Sequence, residues 1–321
     1  MELRFATIGT SWITDSFITS ARETGRWELC AVFSRTAEKA QAFAVKSGSP
    51  EYYDDIAEML GKSGADAVYI ASPNSLHVEQ TRLCLERGIS VICEKPLSFR
   101  YGELRGLYEM AESKGLFLFE AYRHINNPAF TRLKDAVDTI KPVRSAVLTY
   151  NQYSSRYAAF LRGENPNVFN PEMGGGALAD LGVYPVSLAA ALFGKPVAVK
   201  AVLNKLSNGV DGAGCIIMDY TDFHAAVSFS KNSADAASNQ ICGENGTVVI
   251  DKSAELEKIV VAKRDGTSED CSIKSPYENK LAAEADVFAE IILNSDFAKY
   301  NMLKEISLIT CGVGEEAYRQ N

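Results

Sequence analysis

Short apolar runs alternate with helically spaced apolar residues through the first 120 positions. The runs at residues 4–9, 27–33, 65–71, 89–93 and 116–120 are rich in β-branched and aromatic side chains, as strands buried on both faces are. Between them, residues 13–24, 36–47, 77–87 and 99–114 read as helices, with Thr36 placed to cap the second. Single helices between strands imply right-handed crossovers and a parallel sheet. Residues 1–120 are therefore expected to form one doubly wound α/β domain of Rossmann type.

After residue 120 the rhythm changes. A helix at 128–140 leads to an alternating strand at 143–153, and a helix at 178–192 stops at Gly194-Lys195-Pro196. Strands then dominate, at 197–203, 214–220, 223–230, 239–242, 247–250 and 258–262, joined by short connectors such as Thr221-Asp222 and Glu244-Asn245-Gly246. Two helices, at 281–294 and 302–319, end the pattern. Hairpin-linked strands pair antiparallel. Residues 121–321 are thus expected to be an α+β domain, an open and mostly antiparallel sheet backed by helices on one face. The alternation of Val197, Val199, Ala201 and Leu203 suggests that the other face is apolar, which predicts a two-fold homodimer or homotetramer.

Composition narrows the partners. With 33 basic against 41 acidic residues, the formal net charge of −8 leaves no electrostatic footprint for nucleic acid. Seven cysteines, an odd number without a C-x-x-C pair, indicate neither a disulfide framework nor a metal site. No apolar run looks long enough to cross a membrane, which takes about 18 residues. Met1-Glu2-Leu3-Arg4 enters a strand without a secretory signal, so a soluble, cytoplasmic protein is expected.

The candidate chemistry sits at strand ends. Glu94-Lys95-Pro96 follows the run 89–93, so Lys95 presents a cation at a strand's carboxyl end, where doubly wound sheets bind ligands. Pro96 fixes the backbone behind it. The first strand-to-helix turn reads Ile8-Gly9-Thr10-Ser11-Trp12-Ile13-Thr14. Of the three glycines in a dinucleotide fingerprint only Gly9 is present, with Ser11 and Thr14 in the other two places. A helix N-terminus there favours phosphate, which makes Gly9, Ser11, Trp12 and Ile13 candidate nucleotide contacts. The second strand ends in Phe33-Ser34-Arg35-Thr36, with Lys39 one turn on. An acidic ribose ligand is missing, and Ser34, Arg35 and Lys39 suit a 2′-phosphate instead. A solvated surface arginine would look the same.

Ala71-Ser72-Pro73-Asn74-Ser75-Leu76-His77 follows the third run, and residues 174–184 read Gly-Gly-Gly-Ala-Leu-Ala-Asp-Leu-Gly-Val-Tyr. Asp180 and Tyr184, four apart, share one face of a helix. Taken alone, Asp180 would be a polar cap and Tyr184 a packing aromatic. Glu120-Ala121-Tyr122-Arg123-His124 closes the fifth run. Arg123 is either a ligand contact or a structural ion pair, and Tyr153, Arg156 and Tyr157 are either pocket lining or exposed loop.

Together and in this order, the glycine turn, Lys95 before Pro96, and residues 174–184 resemble the glucose–fructose oxidoreductase/inositol dehydrogenase (Gfo/Idh/MocA) family of nicotinamide enzymes, over nearly the whole chain. The resemblance implies NADP, preferred here on Ser34 and Arg35, or NAD. It also implies that Ser72, Asn74 and Glu94 lie beside the nucleotide, with His77 and Arg123 as further candidates, and that relatives pair sheet to sheet. Lys95, Asp180 and Tyr184 become the catalytic trio. Many relatives carry His where this chain has Tyr184; Tyr marks the branch resembling dimeric dihydrodiol dehydrogenase. A phenol ionises near pH ~10 and needs a nearby cation to act as a base, a part that falls to Lys95. Hydride transfer to or from a sugar, polyol or cyclic diol is the implied reaction. A nucleotide-retaining glycoside hydrolase and a nucleotide-sensing regulator are the alternatives on the same fold.

Overall fold

Strand β1 (Leu3–Ile8) is the pivot of a six-stranded parallel sheet in the computed structural model, which describes residues 2–321. The order is β3-β2-β1-β4-β5-β6, with β2 at Trp27–Phe33, β3 at Glu51–Tyr53, β4 at Ala67–Ile70, β5 at Ser90–Glu94 and β6 at Leu118–Ala121. Helices α1 (Trp12–Glu23), α2 (Ala37–Ser47), α3 (Ile56–Lys62), α4 (His77–Glu86) and α5 (Tyr101–Ser113) connect them. The chain order reverses between β1 and β4, the place where such sheets open a ligand crevice. As expected, Thr36 caps α2 by accepting from the Lys39 N–H, at 3.4 Å. The edge strand β3 and helix α3 were not expected; a three-residue strand carries too short an alternation to stand out.

This first unit contains the residues up to Ala121 together with Tyr277–Glu305. Helix α9 (Ala282–Asn294, with α6–α8 described below) packs on α1, and the Trp27 indole N–H donates to the Ala285 carbonyl at 2.8 Å. Its apolar residues complete the core of the parallel sheet: Phe119 stacks on Phe288 at 4.5 Å, while Phe17 stacks on Tyr69 at 3.8 Å.

The second unit comprises Tyr122–Pro276 and Ile306–Asn321. It holds an eight-stranded sheet in the order β14-β13-β12-β11-β7-β10-β9-β8. In chain order these are β7 (Val143–Asn151), β8 (Ala198–Lys205), β9 (Asp211–Asp219), β10 (His224–Ser230), β11 (Asn239–Gly243), β12 (Gly246–Ile250), β13 (Ile259–Lys263) and β14 (Ser268–Asp270). All pairs are antiparallel except β7 with β10. Helices α6 (Pro128–Ile140) and α8 (Val183–Phe193) pack on one face, α6 against β11–β13 and α8 against β7 and β10. The short α7 (Tyr157–Leu161) lies in the loop after β7, and α10 (Phe297–Arg319) runs to the end of the chain.

The opposite sheet face is uncovered, and its register differs from the expected one. On β8 the outward residues are Ala198, Lys200, Val202 and Asn204, whereas Val199 and Ala201 are half-buried and Leu203 buried on the helix side. The open face is nonetheless poor in charge, with Ser145, Val147, Thr149, Ala226, Ser228, Cys215, Ile217 and Val249 across its middle. The free edge of β8 is covered by side-chain amides: Gln320 and Asn321 accept from the Ala201 and Leu203 N–H groups and donate to the Val199 and Ala201 carbonyls. Such pairing blunts an edge that would otherwise recruit another strand.

One stretch among the described residues, Pro171–Phe193, is long and apolar enough to cross a membrane, which the sequence pattern had not shown. Its window is 78% buried inside the protein, as a core helix is.

Candidate active site

In the first unit the loops leaving β1, β2, β4 and β5 converge at the carboxyl ends of adjacent strands. Gly9 adopts φ +114°, and a Cβ there would stand 2.6 Å from the Ala71 carbonyl oxygen, so only glycine lets the loops after β1 and β4 touch. Beside it Ser11 and Trp12 are exposed, Ile13 is half-buried, and the Ser11 hydroxyl lies 3.5 Å from that of Thr14. The result is an open helix N-terminus behind a side-chain-free turn, a cradle that fits a dinucleotide pyrophosphate. At the end of β2, Ser34 is buried, with its N–H on the Tyr53 carbonyl at 3.1 Å, while Arg35 and Lys39 are exposed.

The Lys95 loop is fastened from three sides. Glu94 accepts from the Tyr69 hydroxyl at 2.7 Å, the Leu97 N–H donates to buried Glu120 at 2.8 Å, and the Pro96 carbonyl lies 2.9 Å from His77 Nδ1. His77 Nε2 faces the Ser72 carbonyl at 3.0 Å, and Ser72 in turn donates to Gln80 at 2.6 Å. The His77 ring is fully buried, so it ties the loop after β4 to the Lys95 loop and presents no atom to a nucleotide. Burial holds its imidazole below the usual histidine range and the Lys95 ammonium adds to this, although the two carbonyls pull the other way. Asn74 opens the short turn Asn74–Leu76 and is half-buried, as are Ser72, Glu94 and Lys95.

Asp180 and Tyr184 belong to the second unit. Asp180 sits in a π-helical turn, Leu178–Gly182, that runs into α8, where Tyr184 lies one residue in. Wider π turns inside helices recur at functional sites. The turn is held at its start by Asp211, whose Oδ2 accepts from the Leu178 N–H at 2.6 Å. Burial raises the Asp211 carboxyl above its ordinary value, against the hydrogen bonds from Leu178 and Tyr318. Gly176 (φ +142°) has its Cβ position 2.3 Å from Asp211 Oδ1, and that of Gly175 lies 2.7 Å from the Asn167 and Val168 carbonyl oxygens, so close packing requires glycine at both.

Around Tyr184 the Arg123 guanidinium stands 5.4 Å from the ring centroid, with Tyr150 and His124 edge-on at 5.6 and 5.2 Å. Arg123 also pairs with Glu255 at 3.7 Å. Buried His124 bonds Ser187 through Nε2 at 3.1 Å. Tyr157 packs with Phe160 and buried Phe169, whereas Tyr153 and Arg156 are exposed. One residue had no signal in the sequence at all: Lys231, 5% exposed, pairs its ammonium with the Asp180 carboxylate.

Residues 3–122 match the oxidoreductase family with an NAD-binding Rossmann fold, and residues 132–249 match the GFO/IDH/MocA C-terminal domain. The chain belongs to the Gfo/Idh/MocA family. It is accordingly an NAD(P)-dependent oxidoreductase. Across 318 residues, 99% of this chain and 97% of the relative, it is 41% identical to the scyllo-inositol 2-dehydrogenase (NADP(+)) IolU of Bacillus subtilis strain 168. It is 40% identical over 290 residues to the oxidoreductase YgjR of Escherichia coli strain K12, covering 90% of this chain and 88% of that one. The fold matches KijD10, a 3-ketoreductase from Actinomadura kijaniata, with a TM-score of 0.88 at 22% identity, covering 100% of this chain and 98% of that one.

Proposed function

We propose that this enzyme transfers a hydride between NADP(H) and a ring carbon of a cyclic polyol or sugar, with Lys95, Asp180 and Tyr184 as its catalytic residues. The reading is supported by the π turn that carries Asp180 directly into α8 and Tyr184, whose ring lies 5.4 Å from the Arg123 guanidinium. For the substrate class the support is 41% identity, over nearly full length, with an inositol dehydrogenase. The nicotinamide accepts or supplies the hydride, and the protein orients and polarises. In oxidation the Tyr184 oxygen, as phenolate, takes the substrate hydroxyl proton, and in reduction the phenol gives that proton to the carbonyl oxygen. Lys95 steadies the negative charge that develops on the reacting oxygen. Asp180 accepts a hydrogen bond from a substrate hydroxyl.

Exposed Arg35, with Lys39 one turn on, favours the 2′-phosphate of NADP(H) over NAD(H). The uncharged middle of the open sheet face supports a two-fold homodimer or a dimer of such dimers. Seven free cysteines fit a cytoplasmic enzyme. The direct test is a screen of inositols, aldoses and aromatic diols with each nucleotide, followed by the absorbance of the reduced nicotinamide. Turnover of at least one cyclic polyol or sugar, faster with NADP, is expected; turnover of aromatic diols alone, or faster with NAD, overturns it.

A further inference from the structure

A lysine with 5% exposure requires an explanation, because a buried ammonium costs several kcal/mol unless it is paired. Lys231 follows β10 directly and its backbone is clamped on both sides. Its N–H donates to the Gly212 carbonyl at 2.8 Å, and its carbonyl accepts from the Ser154 N–H at 2.9 Å. Its position is therefore set by β9 and by the loop after β7, not by the side chain. The side chain, 7% exposed, ends on Asp180 Oδ2, while the Asp180 side chain is 39% exposed. The pair is asymmetric, with the cation underneath and the carboxylate on the open side. A lysine kept only for surface charge would have the reverse arrangement.

We infer that Lys231 is a positioning residue that acts through Asp180, fixing the carboxylate as a charge-balanced hydrogen-bond acceptor for a substrate hydroxyl and keeping it out of the proton path. The inference rests on the reading of Asp180 as a site residue. Its physical content is simple. An anion anchored by a fixed cation keeps its orientation and stays ionised as substrate excludes water, whereas an unanchored one gains protons as its surroundings dry. The π turn packs against α8, β7, β9 and β10. The charged or titratable side chains of these elements are Tyr184 on α8, Arg144 and Tyr150 on β7, Asp211, Cys215 and Asp219 on β9, and His224 on β10 with Lys231 just past its end; Arg123 and His124 stand beside Tyr184. Lys231 donates a hydrogen bond to the carboxylate.

The test compares Lys231→Met, Lys231→Gln and Lys231→Arg with Asp180→Asn, and adds the double variant Lys231→Met/Asp180→Asn, all in the full chain with NADP(H) and the best substrate of the screen. In Lys231→Met and Lys231→Gln, kcat is expected to fall about 10- to 100-fold with nucleotide affinity unchanged. The acid limb of the pH–rate profile should move up by about one unit, the scale of a lost opposite charge. Arginine should restore most of the rate, and in the Asp180→Asn background Lys231→Met should add little, because the two act as a unit. A purely structural lysine would change the melting temperature and the yield but not the profile. If Lys231→Met and Lys231→Gln keep the wild-type profile and kcat while Asp180→Asn loses turnover, the inference falls and the site stands. Normal turnover in Asp180→Asn removes the site reading itself. Should Lys231→Met not fold, Lys231→Gln, which keeps a neutral donor on a side chain one atom shorter, carries the same comparison.

Discussion

Gly9→Ala puts one methyl group where the loop after β4 already stands. The added Cβ would lie 2.6 Å from the Ala71 carbonyl oxygen and 2.9 Å from its carbon. Both are backbone atoms, and the Ala71 N–H is anchored on the Ile8 carbonyl at 2.9 Å, so neither can swing aside as a side chain would. A φ of +114° adds a strain of its own for an L residue. Together, strain and overlap should cost about 2–5 kcal/mol. At about 2–4 °C per kcal/mol for a unit of this size, the melting temperature should drop by roughly 4–20 °C. The turn must also back away from the nucleotide, so NADP(H) affinity should fall at least about tenfold, or ~1.4 kcal/mol. Thermal melts followed by circular dichroism and titration of nucleotide fluorescence read the two effects separately. A variant that melts within about 2 °C of wild type and binds NADP(H) equally well would refute the close-approach argument.

Arg35→Ala should weaken NADP(H) by ~1.5–3 kcal/mol, a charge-assisted hydrogen bond, and leave NAD(H) nearly unchanged; equal losses in a paired titration would contradict this. Because burial keeps the folded pKa of His77 below its unfolded value, the unfolded chain takes up the proton first as pH falls. Stability from this residue is therefore present above about pH 6.5 and lost below it. The difference in unfolding free energy between wild type and His77→Asn should shrink when urea unfolding is moved from neutral pH toward about 5.5, and a constant difference would refute it. Light scattering at micromolar concentration should report a dimer or tetramer, with Val147→Asp on the open sheet face shifting it toward monomer; a wild-type monomer sinks the assembly reading.

Periodicity carried the fold well where segments were long. The helix at 128–140 and the buried strands of the parallel sheet are legible because their apolar pattern matches one period throughout. Strands β3 and β14, three residues each, are too short for any period. The facing of β8 differs from the expected one because Val197, Val199, Ala201 and Leu203 look like a stripe, while which face of the sheet the helices cover is set by tertiary packing that the strand's own alternation does not encode. At the site, Lys95, Asp180 and Tyr184 stand out because each follows a strand end or a glycine run. The π turn, the Asp211 carboxylate that seats it, and Lys231 beneath Asp180 arise from tertiary contacts 33 and 51 residues apart in the chain, which no local spacing encodes. His77 shows the converse: a residue prominent in its loop proves to be a buried tie between two backbone carbonyls.

Proton transfer by Tyr184 is the central claim, and Tyr184→Phe tests it most directly. Removing one oxygen leaves the ring in place between Arg123, Tyr150 and His124, so folding and NADP(H) affinity should stay close to wild type. Steady-state turnover with the best cyclic polyol or sugar should fall by roughly 10²–10⁴, the usual general acid–base contribution. A Tyr184→Phe enzyme that binds the nucleotide and turns over at a near-normal rate would contradict the account and take Tyr184 out of the proton path.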